Sequence, residues 1–267
     1  MTIPYFHVDA FARRAFSGNA AGVCWLAEWL PDALMQSIAA ENSLSETAFM
    51  VPRGPVFDLR WFTPAVEVDL CGHATLAAAH VLFEHLGWRD PWVRFQTRSG
   101  VLGVSRENDR LTLDFPARPA TPCEAPEMLV AGLGVRPMVT ARARDYLAVL
   151  TSEQAVRALR PDLAKLGHLD CLGIIATAPG EDCDFVSRFF APGAGISEDP
   201  VTGSAHCTLI PYWSRQLGRP KLRALQVSSR GGELFCEDRG ERVGIGGHAV
   251  TYAHGLIQVP DPGRSAA

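Results

Sequence analysis

Two segments of the sequence place a glycine, a polar residue and an alanine at the start of an apolar helical pattern. The first is Gly72-His73-Ala74 and the second is Gly203-Ser204-Ala205. Each follows acidic residues, and a helix that begins this way presents free backbone N–H groups and the positive end of its dipole. Such a helix start binds small anions such as a carboxylate. The pattern therefore predicts two half-sites facing one ligand, with backbone donors at the glycines and alanines.

The two segments belong to a longer internal repeat. An Arg-aromatic-Phe-x-Pro motif begins at Arg60 and again at Arg188, and glutamines follow at Gln96 and Gln226. The distance from Arg to Gly is 12 and 15 positions, and from Arg to Gln 36 and 38 positions. Strand–turn–helix units recur in many folds, but three landmarks in the same order favour a duplication.

The repeat predicts two halves of one fold, residues 1–118 and 119–255, with the tail 256–267 returning to the first half. The proline-rich stretch 115–122 is the predicted linker. Strands outnumber helices in both halves. In the second half one of the helices is predicted over 153–166, and a strand is predicted over 255–260 at the end of the chain. We therefore expect an α+β fold in which each half is a curved, mostly antiparallel and barrel-like sheet around a central helix.

Composition excludes several classes of protein. The 267 residues are 47% hydrophobic and 20% charged, which is normal for a globular protein, and the net charge of −4 argues against a nucleic-acid partner or a membrane surface. No apolar run is long enough to span a membrane. The seven cysteines include no C-x-x-C pair, which favours reduced thiols in a cytoplasmic protein over disulfides or a zinc site.

Glu46 is the leading candidate for proton transfer. Its neighbours are mostly apolar, and a buried carboxylate favours its neutral form, but an outward-facing Glu on a half-exposed strand fits equally well. His73 can donate or shuttle a proton from the helix start, or can simply cap the helix. Cys71 lies two residues before it, but two donors are too few for a metal site.

Further polar residues are candidates in the second segment and in turns. Asp199 precedes a proline and can orient an imidazole or accept a proton, while Ser204 occupies the position of His73 in the repeat. The alternative is a turn aspartate with a helix-start serine. Asn19 and Arg230 lie in candidate ligand loops, for which ordinary hairpin turns are the alternative.

Together these motifs closely resemble the PhzF-like isomerase family of phenazine biosynthesis. The resemblance covers nearly the whole chain, and the run Glu-Asp-Pro-Val-Thr-Gly-Ser-Ala at 198–205 is highly specific. The other motifs lie at 9–11, 16–19, 44–49, 69–75 and 229–232. One departure is Ala20, where the family has proline after Gly-Asn; this change should loosen the turn without removing Asn19.

The resemblance implies the diaminopimelate-epimerase-like fold, whose two similar halves enclose the site. It also implies that no metal or organic cofactor is needed and that the protein is a homodimer. By resemblance, Glu46 is the general acid/base, and His73, Asp199 and Ser204 line the cavity.

The sequence thus predicts a cofactor-independent isomerase acting on a small carboxylate-bearing substrate. One alternative is a two-thiol racemase or epimerase, for which Cys71 is a plausible first thiol but 201–203 contains no second. The other alternative is a binding protein that retains the fold.

Overall fold

The computed structural model describes residues 1–260. The chain divides into two compact units, one formed by Met1–Asp114 with Gly247–Ala267 and the other by Phe115–Gly246. These divisions lie near the boundaries that the sequence places after residues 118 and 255. Residues 261–267 of the predicted returning tail lie outside the described residues.

All but the last strand of the first unit lie between residues 2 and 116. In chain order they are β1 (Thr2–Ala10), β2 (Asn19–Trp25), α1 (Asp32–Asn42), β3 (Glu46–Arg53), β4 (Val56–Phe62), β5 (Glu67–Val68), α2 (Gly72–Glu84), β6 (Trp92–Thr97), β7 (Gly100–Glu107) and β8 (Arg110–Pro116).

The second unit follows, and the last strand of the chain returns to the first. In chain order these elements are β9 (Thr121–Pro122), α3 (Glu127–Leu133), β10 (Val139–Arg142), β11 (Tyr146–Val149), α4 (Glu153–Ala158), α5 (Leu163–Leu166), β12 (Ile174–Pro179), β13 (Phe185–Ala191), β14 (Ile196–Asp199), α6 (Gly203–Leu217), β15 (Lys221–Gln226), β16 (Gly232–Asp238), β17 (Arg242–Gly247) and β18 (Ala249–Gln258).

The two units have the same strand topology. In the first unit the order is β18-β1-β2-β3-β4-β6-β7-β8, and only β2–β3 and β4–β6 among these neighbours are parallel. In the second unit the order is β9-β10-β11-β12-β13-β15-β16-β17, and the parallel pairs are β11–β12 and β13–β15. Because the parallel pairs fall at equivalent places, the units are two copies of one mostly antiparallel fold.

Each unit has one long, largely buried helix at the equivalent place, α2 between β5 and β6 and α6 between β14 and β15. In α2 the first twelve residues are buried except His80, and the helix packs against β1, β2, β3 and β18. Its many alanines allow this close approach to the sheet. The sheets are curled around these helices but do not close, so the barrel-like expectation describes curvature only.

Helix α6 contains a proline, Pro211, and a residue of the predicted linker 115–122 makes the hydrogen bond that this proline cannot make. Pro211 cannot donate to the carbonyl of Cys207 one turn earlier. The backbone N–H of Arg118 donates to that carbonyl instead, at 2.8 Å. The predicted linker 115–122 is thus fastened to α6.

The structure corrects two details of the predicted elements. The single helix expected over 153–166 is two short helices, α4 and α5, because Pro161 breaks the pattern and Asp162 begins a new helix by accepting from the N–H of Lys165 at 3.2 Å. The strand expected at 255–260 is the longer β18, which pairs with β1. Within residues 1–260 no helix is long and apolar enough to cross a membrane.

Candidate active site

Glu46 is the first residue of β3 and pairs with Ala21 of the parallel strand β2. Its side chain is 13% exposed, and Oε2 lies 3.0 Å from Nε2 of His73. Both facing atoms are buried, and neither makes a well-aligned hydrogen bond. Buried polar atoms are rarely left this way, and they often gain a partner when a ligand binds.

His73 is the second residue of α2, where the backbone N–H groups have no partner within the helix. The other ring nitrogen, Nδ1, lies 3.2 Å from Nδ2 of Asn19 and 3.6 Å from Sγ of Cys71. The imidazole therefore connects a carboxylate on one side with an amide and a thiol on the other.

Burial controls the charge states of this cluster. Burial alone lowers the pKa of His73, but the interactions of its ring with Cys71 and with the Glu46 carboxylate outweigh it and raise the pKa well above its ordinary value. Burial, assisted by the charge of Glu46, raises the pKa of Cys71 to about 11. At neutral pH Cys71 is therefore a thiol, which is a weak nucleophile and a weak base.

The donor atoms of this cluster are close enough together to raise the question of a metal site. Among the described residues, Glu46, Cys71 and His73 are the one group of three His, Cys, Asp or Glu whose donor atoms lie within 4.8 Å of one another. However, Cys71 approaches Nδ1 while Glu46 approaches Nε2, on opposite edges of the ring. Since one ion binds only one of these nitrogens, the arrangement fits a row of polar groups joined through the ring better than a chelate.

In the second unit, Asp199 is held by residues at the start of α6. Its Oδ2 accepts from the hydroxyl of Thr202 at 2.6 Å. Gln226, which is 1% exposed, accepts from the backbone N–H of Thr202 and donates to the backbone carbonyl of Asp199, both at 2.8 Å. Gln226 thus joins Asp199 to the start of α6, and we call this pair of hydrogen bonds the latch. In the sequence Gln226 is only a landmark of the repeat, and its contacts are visible only in the folded chain.

Ser204 contacts an arginine that sequence reasoning missed. Nη2 of Arg144 donates to the Ser204 hydroxyl oxygen at 3.0 Å and also to the buried Asp145 at 3.0 Å. Because Ser204 accepts this bond, its own O–H proton is available for another acceptor. Arg144 lies in the short β10–β11 turn, and only its position just before a strand could have suggested a role.

The same ion pair supports both helix starts. Nε and Nη2 of Arg60 donate to the two oxygens of Glu67, each at 2.7 Å. In the second unit Nε and Nη2 of Arg188 donate to the two oxygens of Glu198, at 2.7 and 2.8 Å. These bidentate pairs link β4 to β5 and β13 to β14, immediately before α2 and α6, and explain why the arginine recurs in the repeat.

A serine from the following hairpin fixes each approach to the helix. Ser99 donates to the carbonyl of Asp69 at 2.8 Å, and Ser228 donates to the carbonyl of Pro200 at 2.7 Å. Both carbonyls lie three residues before the first glycine of the helix.

The second unit has no carboxylate at the position equivalent to Glu46. Thr47 and Ile174 each pair with the second aromatic residue of the repeated motif, so the residues before them are equivalent. These are Glu46 and Gly173, and a Cβ on Gly173 would lie 2.2 Å from the ring of Phe189. The acid/base candidate is therefore confined to one copy of the fold.

The remaining predicted residues occupy the expected elements. Gly72 and Ala74 begin α2, and Gly203 and Ala205 begin α6, all four buried. Arg230 lies in the turn between β15 and β16 and is half-buried. Its role in ligand binding stays a prediction.

Comparison with known proteins gives the class and then the family. A Pseudomonas aeruginosa protein named as an uncharacterized isomerase is 54% identical over 260 residues, which are 97% of this chain and 100% of that protein. A crystal structure of a PhzF-family phenazine biosynthesis protein from Enterococcus faecalis is 46% identical, with a TM-score of 0.95 over 97% of this chain and 100% of that one. These relatives and the fold place the chain among the isomerases.

The family assignment is direct. The phenazine biosynthesis-like protein family matches residues 8–255, and the chain belongs to that family. A hydroxyproline epimerase from Agrobacterium vitis, solved with trans-4-hydroxy-L-proline, is 12% identical with a TM-score of 0.62 over 98% of this chain and 94% of that one. At that identity the likeness is one of fold alone.

Proposed function

We propose that this isomerase moves a proton within a small carboxylate-bearing substrate without a cofactor, using Glu46 as the general acid/base. The observation that carries the proposal is the buried pair of Glu46 Oε2 and His73 Nε2, which face each other at 3.0 Å and have no hydrogen-bond partner. A carboxylate in this state can take a proton from carbon and return it elsewhere. His73 would act by donating a proton first and taking one back afterwards, since its raised pKa favours the protonated imidazole.

The helix starts are proposed to bind the substrate carboxylate. At α2 the backbone N–H groups of Gly72, His73 and Ala74 precede the first intrahelical bonds and suit an anion. At α6 the corresponding groups are joined by the Ser204 hydroxyl and the positive charge of Arg144. Fixed donors of this kind also stabilise negative charge that develops as a proton leaves carbon.

Thiol chemistry of the two-thiol epimerase type is less well supported. Cys71 is a neutral thiol near pH 7, and the equivalent residue in the second unit is Thr202. Cys207 lies a turn further into α6, where burial raises its pKa to about 11. A purely non-enzymatic role is the other alternative, and it predicts ligand binding without proton exchange.

The test begins with a ligand search. A thermal-shift screen of small cyclic and amino-acid carboxylates identifies ligands, and each is then incubated with the protein in deuterium oxide. The proposal expects deuterium to enter a carbon position of at least one ligand, and Glu46→Gln to stop that exchange. Glu41→Gln is the matched control, because Glu41 is exposed at the end of α1. Binding with no exchange in any ligand would support the non-enzymatic alternative.

The oligomeric state and the cellular location of the protein are also proposed. Resemblance to the family suggests a homodimer, which light scattering after gel filtration would test. The seven cysteines are all unpaired in the structure, which fits a reducing cytoplasmic environment, and fractionation of cells would test that location.

A further inference from the structure

Asn19 has the position and the chemistry to control the proton on His73. It begins β2 and is 0% exposed. Its Nδ2 lies 3.2 Å from Nδ1 of His73, and its Oδ1 accepts from the hydroxyl of Ser45 at 3.1 Å. The amide is therefore placed between an imidazole and a hydroxyl.

The backbone fixes the amide in that place. Asn19 pairs with Ala10 of β1, and the preceding Gly18 has a φ of +68°, where a Cβ would lie 2.1 Å from the carbonyl oxygen of Ala10. On the other side, Ser45 is the residue directly before Glu46. The side chains of Glu46, His73, Asn19 and Ser45 thus form a continuous polar ring that begins and ends at the start of β3.

An amide is suited to a histidine that changes its charge. In the arrangement described, the amide N–H donates to an unprotonated Nδ1. When Nδ1 gains a proton it becomes a donor, and a half-turn of the amide presents Oδ1 as the acceptor. The Ser45 hydroxyl can either donate or accept, so it can pair with the amide in both orientations. An aspartate could accept but never donate, and a leucine could do neither.

We propose that Asn19 is a positioning residue that, with Ser45, keeps Nδ1 of His73 hydrogen-bonded whether or not Nδ1 carries a proton, so that the imidazole can change its charge without rotating and Nε2 stays directed at Glu46. This inference rests on the proposed function, because it supplies the means by which His73 serves Glu46. Among the residues that the structure describes, the Glu46 carboxylate lies near Nε2 of the imidazole, and the Cys71 thiol is a weaker partner for Nδ1.

The test is an NMR titration of ¹⁵N-histidine-labelled protein without any ligand, following Nδ1 and Nε2 of His73. Asn19→Asp offers only an acceptor, so it should favour the protonated imidazole and shift the His73 titration upward by about one pH unit, a tenfold change in proton affinity. Asn19→Leu removes the partner of Nδ1 from both forms, but the bond to the charged imidazole is the stronger of the two, so the titration should shift downward by about half a pH unit or more.

Opposite shifts in the two variants support the proposal, and a loss of general packing cannot produce them. His80, which contacts Thr251 in the same unit, is the internal control and should titrate unchanged. If one variant does not fold, the sign of the shift in the other decides the matter. Titrations within 0.3 pH unit of the wild type, or two shifts of the same sign, would overturn the proposal. Because no substrate is involved, the outcome is independent of whether Glu46 catalyses proton transfer.

Discussion

Replacing Gln226 by leucine should destabilise the second unit substantially. Leucine is close in size, but it removes the acceptor for the backbone N–H of Thr202 and the donor to the backbone carbonyl of Asp199, both at 2.8 Å. The Thr202 group is buried, and leaving a buried backbone group unpaired costs about 1–3 kcal/mol. The Asp199 carbonyl is less buried, so we expect a total loss of about 2–4 kcal/mol.

The sequence repeat provides a matched control for this experiment. Gln96 occupies the corresponding landmark in the first unit but is exposed at the end of β6. Gln96→Leu should therefore change the free energy of unfolding by less than about 0.5 kcal/mol. Both variants can be measured by urea unfolding followed by circular dichroism. A Gln226→Leu protein as stable as the wild type, or equal losses in the two variants, would refute the latch at the start of α6.

Three other predictions follow from the charge states and the donor geometry. Cys71→Ala should reduce proton exchange less than tenfold, because the thiol is protonated at neutral pH, and an inactive variant would point to thiol chemistry. Dialysis against a chelator should leave exchange unchanged, whereas loss of exchange with recovery on adding zinc would contradict the expectation that no metal is needed. Burial lowers the pKa of His80 and of His206 to about 4, so the unfolded state binds more protons as the pH falls below about 6.5. Stability should be retained above that pH and lost towards pH 4, by about 3 kcal/mol per histidine; urea unfolding should find a smaller loss in His206→Gln, and an equal loss would contradict this reasoning.

The fold could be predicted largely from the spacing of a few residues. The Arg, Gly and Gln landmarks mark a strand, a helix start and a second strand in each half, and the matching strand orders confirm the duplication. The arginines recur because each makes the same bidentate pair with a glutamate. The break at Pro161 was missed because the apolar spacing continues through it.

The candidate site was less accessible to sequence reasoning. Strand alternation could not decide which way Glu46 points, and in the structure its carboxylate faces His73. Arg144 and Ser204 are 60 residues apart, and Asn19 and His73 are 54 apart, so only the folded chain brings these pairs into contact. The two glutamines lie at similar spacings in the sequence repeat but differ in burial, because their strand registers differ by one residue. Gln226 pairs with Ser187, directly before the repeated arginine, whereas Gln96 pairs with Asp58, two residues before it.

The asymmetry between the units bears on the mechanism. The two-thiol alternative requires a thiol in each copy, but Thr202 occupies the position of Cys71 in the second unit, just as Gly173 occupies that of Glu46. Proton transfer by one carboxylate requires no such symmetry. The second unit retains the polar start of α6, where Ser204 and Arg144 suit ligand binding.

The most direct test of Glu46 as the general acid/base is to measure how fast the Glu46→Gln variant exchanges ligand protons with solvent. Glutamine nearly preserves the shape of the side chain beside His73 but can neither accept nor deliver the proton. With a ligand found by thermal shift, the carboxylate mechanism predicts that the variant binds that ligand about as well as the wild type and that deuterium incorporation falls by about 10²-fold or more, while Cys71→Ala remains active. Exchange at the wild-type rate in Glu46→Gln, beside an inactive Cys71→Ala, would contradict the carboxylate mechanism.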